Sequence, residues 1–288
     1  SAGQFLKLTP GGKAPALGNA TATIADTSES IFWNPAGIGY MNTMQVSIGY
    51  LDLVEDLNGT SISFAYPVED VGVFGLGIMG LFYGSIPVVE VNSSGDLVDQ
   101  DRTMSASDTV YVLSYARKIG EIFSAGINTK LITQYLEEEN ALCLGFDFGM
   151  MAHLSKERLM MGLTVQNIGT ESKFIEESFD LPLLAKLGVN YTPFRIKTRH
   201  VVKILFDIEK SIDSGFLYNA GLEYGFYNML FARGGYRIGQ DIGNYSFGGG
   251  IRYPFKKNFI TLDYAYLPYG DIGPTHRLGF TFGILEDK

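Results

Sequence analysis

Apolar and polar positions alternate with period two along most of this chain, and beyond residue 42 they do so in segments of about ten residues closed by turn residues. Such segments fall near 43–53, 60–68, 71–83, 108–118, 122–135, 141–153, 159–167, 183–191, 200–209, 216–224, 229–238, 245–253, 259–266 and 276–284. They number about fourteen, an even count as expected of an antiparallel barrel. In the twelfth, Tyr245, Phe247, Gly249, Ile251 and Tyr253 share one face while Ser246, Gly248, Gly250 and Arg252 share the other. The tenth sets Phe216, Tyr218, Ala220, Leu222 and Tyr224 against Leu217, Asn219, Gly221 and Glu223; the ninth sets Val202, Ile204, Phe206 and Ile208 against Lys203, Asp207 and Glu209. A soluble sandwich would gather its aromatics in a core, whereas here they sit at strand ends. The pattern predicts an all-β fold: a transmembrane antiparallel β-barrel with two solvents on its two faces.

The turns give direction. With a periplasmic N-terminus, even-numbered connections are short and odd-numbered ones longer. The even connections at 67–70, 119–120, 155–158, 193–198, 226–228 and 254–258 are brief, and the two longest, 85–107 and 168–182, are odd. Charge sorts with them. Lys156, Arg158, Arg195, Lys197, Lys256 and Lys257 lie at even turns, and Glu55, Asp56, Asp96, Asp99, Asp101, Glu137, Glu138, Glu139, Glu176, Glu177 and Asp241 at odd ones. Apolar residues interrupt the acidic long loops: Ile86, Val88, Val89 and Leu97 in the first, Phe174, Ile175 and Phe179 in the second. These are the candidate contacts for a protein partner or a hydrophobic ligand.

One stretch fits no strand. Residues 26–37, Asp-Thr-Ser-Glu-Ser-Ile-Phe-Trp-Asn-Pro-Ala-Gly, carry the single Trp of the chain. Asp26 with Glu29 has the form of a capping box, and Pro35 is expected to stop the helix and hold Asn34 extended. Asp26, Glu29, Phe32, Trp33, Asn34, Pro35 and Gly37 form the candidate motif of a plug spanning residues 1–40, followed by a barrel over 41–288.

Residues 3–39 resemble the N-terminus of the PorV/PorQ proteins, a branch of the FadL-like outer-membrane barrels. The likeness rests on Phe5-Leu6, the small-residue run Ala14 to Ala20, Ala25-Asp26, and Trp33-Asn34-Pro35-Ala36-Gly37. Lys13 stands where those proteins commonly carry Arg, and Pro15 interrupts the run. The resemblance implies an outer-membrane barrel that docks secreted surface proteins in a type IX-like secretion system, through its extracellular loops and lumen mouth. The alternative it implies is FadL-like: passive passage of hydrophobic compounds through a plugged barrel.

Composition narrows the classes further. Among 288 residues, Gly 35, Tyr 17 and Phe 20 suit many strands with tight turns and interfacial rings. No apolar run reaches the length of a membrane helix; the best, 71–83, is short and carries glycines. A net charge of −9, set largely on outward loops, argues against nucleic acid as a partner. No charged leader precedes an apolar core, so an export signal is expected to have been removed already. Cys143 is the lone cysteine, and His153, His200 and His276 fall in distant strands, so no metal, cofactor or catalytic constellation is expected. Gly75, Gly77 and Gly80 match G-x-G-x-x-G, but inside a strand with no following helix, where they thin a barrel face near the plug.

Charges on the expected inner face alternate in sign: Lys130, Asp147, Lys186, Lys203, Asp207, Glu223, Arg233, Arg252, Asp263 and Arg277. Isolated charges in a narrow lumen are costly, so mixed signs imply pairing across strands and onto the plug. The expected partners are outer-membrane lipid, proteins at the extracellular face, and a hydrophobic small molecule or lipid.

Overall fold

The computed structural model describes residues 3–25, 27–54, 57–84, 86–91, 97–137, 139–155, 158–170, 172–174, 177–196 and 199–285. Eighteen strands follow an N-terminal segment: β1 Thr43–Asp52, β2 Leu57–Val68, β3 Gly72–Tyr83, β4 Ile86–Val91, β5 Leu97–Met104, β6 Ala106–Ile119, β7 Phe123–Leu136, β8 Glu139–Ser155, β9 Leu159–Gly169, β10 Ser172–Phe174, β11 Glu177–Phe179, β12 Leu184–Ile196, β13 His200–Ser211, β14 Phe216–Phe226, β15 Leu230–Ile238, β16 Tyr245–Phe255, β17 Asn258–Pro268 and β18 Pro274–Leu285. Fourteen of them form one closed barrel in which each strand pairs antiparallel with its neighbours and β1 closes onto β18. Closure satisfies every ladder and leaves no edge for lipid to meet.

The alternation sets the two faces. Outward residues are large and apolar, as with Leu113 at 59 % and Phe247 at 56 % exposed, while their strand neighbours Val112 and Ser246 are buried. An apolar outer band around a closed barrel is the surface of a membrane-spanning barrel. At the even-turn end, Tyr227 and Asn228 both take positive φ, the I′-type geometry that reverses a tight hairpin, and Tyr227 sits edge-on to Phe226 at 4.7 Å.

Three details differ from the sequence reading. The two long odd connections contain strands of their own, β4 paired with β5 and β10 with β11. Pro193 and Arg195 belong to β12 rather than to a turn, because a bulge between Tyr191 and Phe194 takes the proline out of the ladder. The third concerns residues 26–37. Asp26 lies outside the described residues, and the cap of the 3-10 helix Ser28–Phe32 is Thr27, whose side chain accepts from the Glu29 amide. Pro35 opens a second 3-10 helix, Pro35–Tyr40, instead of ending one, since its fixed φ suits a first helical turn. Asn34 is extended as expected, and caps that helix by accepting from Ala36 N.

Residues 3–42 run down the lumen. They begin near the odd-loop end, where Gln4 and Lys7 bond Asp213 beyond β13, and finish at the even-turn end, where the Tyr40 hydroxyl donates to Ile122 O at 2.9 Å and Met151 O at 3.1 Å. The short α1, Lys13–Ala16, packs on β15, β16 and β17, whereas the helices Ser28–Phe32 and Pro35–Tyr40 pack on β1, β2, β3, β6, β7 and β8.

Candidate functional site: the filled lumen

The inner wall carries an apolar cluster on β3, β6, β7 and β8, and charged side chains on β7, β8 and β12 to β18. Val73, Met79 and Leu81 of β3, Val110 and Val112 of β6, and Ile132 and Cys143 of β7 and β8 form one cluster with Phe5, Leu6, Ile24, Ile31, Phe32, Trp33 and Ile38 of the lumenal segment. Close approach there needs small wall residues. A Cβ on Gly77 would lie 2.6 Å from Ile31 Cδ1, and one on Gly162 only 2.0 Å from Ala22 O. Gly75 and Gly77 therefore make room for the segment, in keeping with a strand role and not a nucleotide loop, whereas a Cβ on Gly80 would meet Phe82 and Thr109 and not the segment.

Polar contacts fix the segment where apolar packing cannot. Within it, Asn34 Nδ2 donates to Ala22 O at 2.7 Å and Trp33 Nε1 to Ile24 O at 3.2 Å. From the wall, Asn128 Nδ2 donates to Ile31 O at 2.7 Å, Gln166 Nε2 to Phe32 O at 3.0 Å, and Ser124 Oγ to Ala36 O at 2.8 Å. Ser28 Oγ shares hydrogen bonds with Ser47 at 2.8 Å and Ser63 at 2.9 Å. Asp207 accepts from Ala22 N at 2.8 Å. Backbone groups that leave water with no strand partner are thereby satisfied.

All ten charged positions expected inside do face inward. Lys130 and Asp147 pair at 2.8 Å with both side chains buried, and Asp147 also accepts from Asn128 Nδ2 at 2.7 Å and Asn167 N at 2.8 Å. Lys186 pairs with Glu209 at 3.1 Å and reaches Thr21 Oγ1 at 3.2 Å. Arg233 bridges Glu223 at 2.7 Å and Asp263 at 2.5 Å, and Lys203 approaches Glu223 at 3.3 Å. Arg252 lies 3.7 Å from the Phe259 ring centroid, a cation–π contact. Arg277 is buried beside Tyr269.

Glu29 and Lys13 bring two more ionisable groups against this network. Burial pushes the Glu29 carboxyl up to about 8, with the neighbouring Asp263 charge adding to the shift, and burial lowers Lys13. Glu29 Oε1 has no hydrogen-bond partner and lies where a Cβ on Gly11 would stand, 2.0 Å away. Gly11 has φ +72°, so glycine is required there twice over.

Beneath this cluster a cavity of about 550 Å³ opens toward the even turns, with Lys13, Glu29, Glu223, Arg233 and Asp263 at its inner end and Lys118, Glu121 and Asn228 toward its mouth. The lumen is thus filled in its middle and hollow at its even-turn end. Among the described residues no three His, Cys, Asp or Glu side chains gather as metal ligands would. The candidate loop contacts Ile86, Val88 and Val89 fall on β4, Leu97 on β5, Phe174 on β10 and Phe179 on β11; their side chains, and Ile175 altogether, lie outside the described residues.

The sequence reading missed Asn128, Gln166, Asn167 and the Ser28, Ser47 and Ser63 trio. Asn128, Gln166, Ser47 and Ser63 were in the inward phase, but a neutral side chain announces no partner; Asn167 turns inward only through the β8–β9 bulge, and Ser28 lies on no strand. Glu209 and Arg237 were equally in phase with the inner charges and belong with them.

No family model matches this chain, and no curated protein matches it. Solved structures do. The toluene transporter TbuX of Ralstonia pickettii is 14 % identical with a TM-score of 0.66, covering 96 % of this chain and 98 % of its own. A deltaS2 mutant of the monoaromatic hydrocarbon channel TodX is 12 % identical with a TM-score of 0.67, covering 96 % and 99 %. A FadL homologue of Pseudomonas aeruginosa is 11 % identical with a TM-score of 0.57, covering 96 % and 97 %. At such identities the likeness is one of fold, over 96 % of the chain. With its apolar outer band and closed antiparallel ladder, the chain has the fold of these outer-membrane barrels.

Proposed function

We propose that the protein is a passive conduit for hydrophobic small molecules across the outer membrane. The observation that carries this reading is the fold shared over 96 % of the chain with a toluene transporter and a monoaromatic hydrocarbon channel. The lumen suits it: a continuous apolar cluster on one wall offers a path for a greasy solute, and the segment that fills the middle excludes free passage of water and ions. No covalent chemistry enters.

This reverses the order of preference that the N-terminal resemblance suggests. Docking of surface proteins stays as the second reading, resting on the pattern at residues 3–39 and on the β4–β5 and β10–β11 hairpins at the odd-loop end. The test is uptake of radiolabelled toluene into outer-membrane-permeability-limited cells, with and without the protein. Faster uptake with the protein supports the conduit. Unchanged uptake by a folded barrel, together with stoichiometric co-purification of surface proteins sharing a C-terminal domain, would favour docking.

A further inference from the structure

The even-turn rim is basic where β12 to β17 meet it. The β12–β13 and β16–β17 hairpins expose Arg195, Arg199, Lys256 and Lys257 there and carry no Asp or Glu at their tips. Between them stands the β14–β15 tip, where the Arg199 guanidinium lies 5.7 Å from the Tyr227 ring centroid. Outward aromatics ring the same level: Tyr253 is 62 % exposed and stacks on Phe255 at 6.3 Å. Such a girdle marks the depth of lipid headgroups.

A cleft of about 450 Å³ opens in this rim between the β14–β15 and β16–β17 hairpins. Arg252, Lys256, Asn228 and Asn258 line it, and no carboxylate does. It shares Gln45, Asn228, Arg252 and Phe259 with the larger lumen cavity and so forms one side of that cavity's mouth, but the lumen cavity sets Glu29, Glu121, Glu223 and Asp263 against its cations. The Phe259 ring, 3.7 Å from the Arg252 guanidinium, holds that group at the cleft. Lys256 sits at the hairpin tip with φ +53° and has no ion pair among the described residues.

The outer wall beside the cleft is recessed. Ala232 of β15 and Gly249 of β16 stand opposite each other on the lipid face, with Gly234 next along β15. A Cβ on Gly234 would meet nothing nearer than 4.0 Å, and one on Gly249 only Phe231 O, at 3.2 Å, so open space lies over both. Exposed Leu222 and Tyr224 of β14 border this trough on one side, and Leu262 and Tyr264 of β17 on the other. Ala232 and Gly234 lie three and five residues along β15 from Met229 at the cleft, about 10 and 17 Å at the rise of a strand. An acyl chain reaches that far.

We propose that the rim cleft is a binding site for an anionic phospholipid of the leaflet at the even-turn end. The phosphodiester sits between the Arg252 guanidinium and the Lys256 ammonium, with the Asn228 and Asn258 amides as further donors, and one acyl chain passes Leu230 and Ile251 into the trough. Cations with no carboxylate beside them in the cleft favour a phosphate, and their level at the girdle favours one carried by a lipid. The short turns of such barrels face the periplasm, where the outer membrane presents phospholipid. The inference goes beyond the conduit reading and does not rest on it.

The experiment is native mass spectrometry of the purified full chain released from detergent micelles and titrated with phosphatidylglycerol, with phosphatidylcholine of the same acyl chains and glycerol 3-phosphate as parallel probes. One phosphatidylglycerol per barrel is expected to be retained in preference to phosphatidylcholine. Arg252→Gln and Lys256→Asn, the latter keeping a residue that tolerates positive φ, should each weaken retention about fivefold. Gly249→Leu, which fills the trough, should weaken it about threefold or more. Heat-modifiable gel mobility confirms that each variant is a folded barrel, and Lys256→Asn, on an exposed turn, decides alone if Arg252→Gln does not fold. Equal retention of the two lipids, or retention indifferent to Lys256→Asn, overturns the proposal. So does glycerol 3-phosphate displacing the lipid at equal concentration, which would make the cleft a site for a free anion and leave the trough without a part.

Discussion

The side chain of Asn34 ties the two halves of the lumenal segment together: its Nδ2 donates to Ala22 O at 2.7 Å, and its Oδ1 accepts from Ala36 N at 3.1 Å. Both bonds are fully buried. Asn34→Leu would strip a carbonyl and an amide of their partners at once, each worth about 1–3 kcal/mol when left unsatisfied in a dry site. The barrel ladder does not depend on this residue, so the expected outcome is a closed barrel around a loosened segment. Single-channel recording in planar bilayers checks it: the wild type stays largely shut, and the variant shows added conductance bursts.

Glu29 makes seating of the segment depend on pH. Its carboxyl is pushed up to about 8 by burial first and Asp263 second, against an ordinary value of 4.5. A raised value means that the seated state holds the proton more tightly than the released one. The resulting stabilisation is fully present below about 4.5 and is lost as pH rises through about 8, at roughly 1 kcal/mol per pH unit in between. Trp33, the only Trp and 1 % exposed, reports on seating. Its emission is expected to shift red as pH climbs past 8, and Glu29→Gln to flatten that response. A shift of equal size and midpoint in the variant would assign the titration elsewhere.

Much of this architecture is legible in the sequence because a barrel wall has a rigid period. A residue's phase fixes its solvent, so Asp207 and Arg233 could be placed inside before any contact was known. What phase cannot give is the partner. Cross-strand Lys186–Glu209 and Glu223–Arg233 pairs depend on register, which turn lengths set, while the Arg233–Asp263 bridge spans non-adjacent strands and depends on how side chains reach across the lumen. The cap at Thr27 was hidden for a different reason: Asp26 and Thr27 are both good caps one position apart, and only the buried path of the chain chooses between them. The hairpins β4–β5 and β10–β11 were hidden by acidic residues that read as solvated loop.

Gly162 offers a test that separates wall from segment. It lies on β9, more than a hundred residues from Ala22, yet a Cβ there would fall 2.0 Å from Ala22 O and 3.2 Å from Thr23 Cγ2. Backbone cannot yield as a flexible side-chain tip would. Gly162→Val is therefore expected to unseat the segment around Ala22 while leaving the ladder intact, since valine suits a strand. Hydrogen exchange should show lost protection at Ala22 N, which donates to Asp207 at 2.8 Å, and retained protection along β9 and β12.

The Lys130–Asp147 pair predicts an asymmetry. Asp147 accepts from three donors, Lys130 Nζ, Asn128 Nδ2 and Asn167 N, at 2.7–2.8 Å, whereas Lys130 also bonds Asn167 Oδ1 at 2.9 Å. Lys130→Met leaves the carboxylate with two hydrogen bonds to hold its charge. Asp147→Leu takes the counter-charge from a buried ammonium, one of two bonds from Asn128 Nδ2 and the acceptor of Asn167 N, beside the bulge where β8 and β9 lose register. Removing one partner of a buried pair costs about 3–5 kcal/mol, and the added losses place Asp147→Leu at the upper end and Lys130→Met below it. In the double variant the ammonium is gone, so its cost should fall short of the sum of the two by about 1–3 kcal/mol. Urea unfolding of the barrel in detergent, followed by tryptophan emission and gel mobility, measures all four corners of the cycle. Equal losses from the two single substitutions would mean that Asn128 and Asn167 draw nothing from Asp147, and that the pair acts alone.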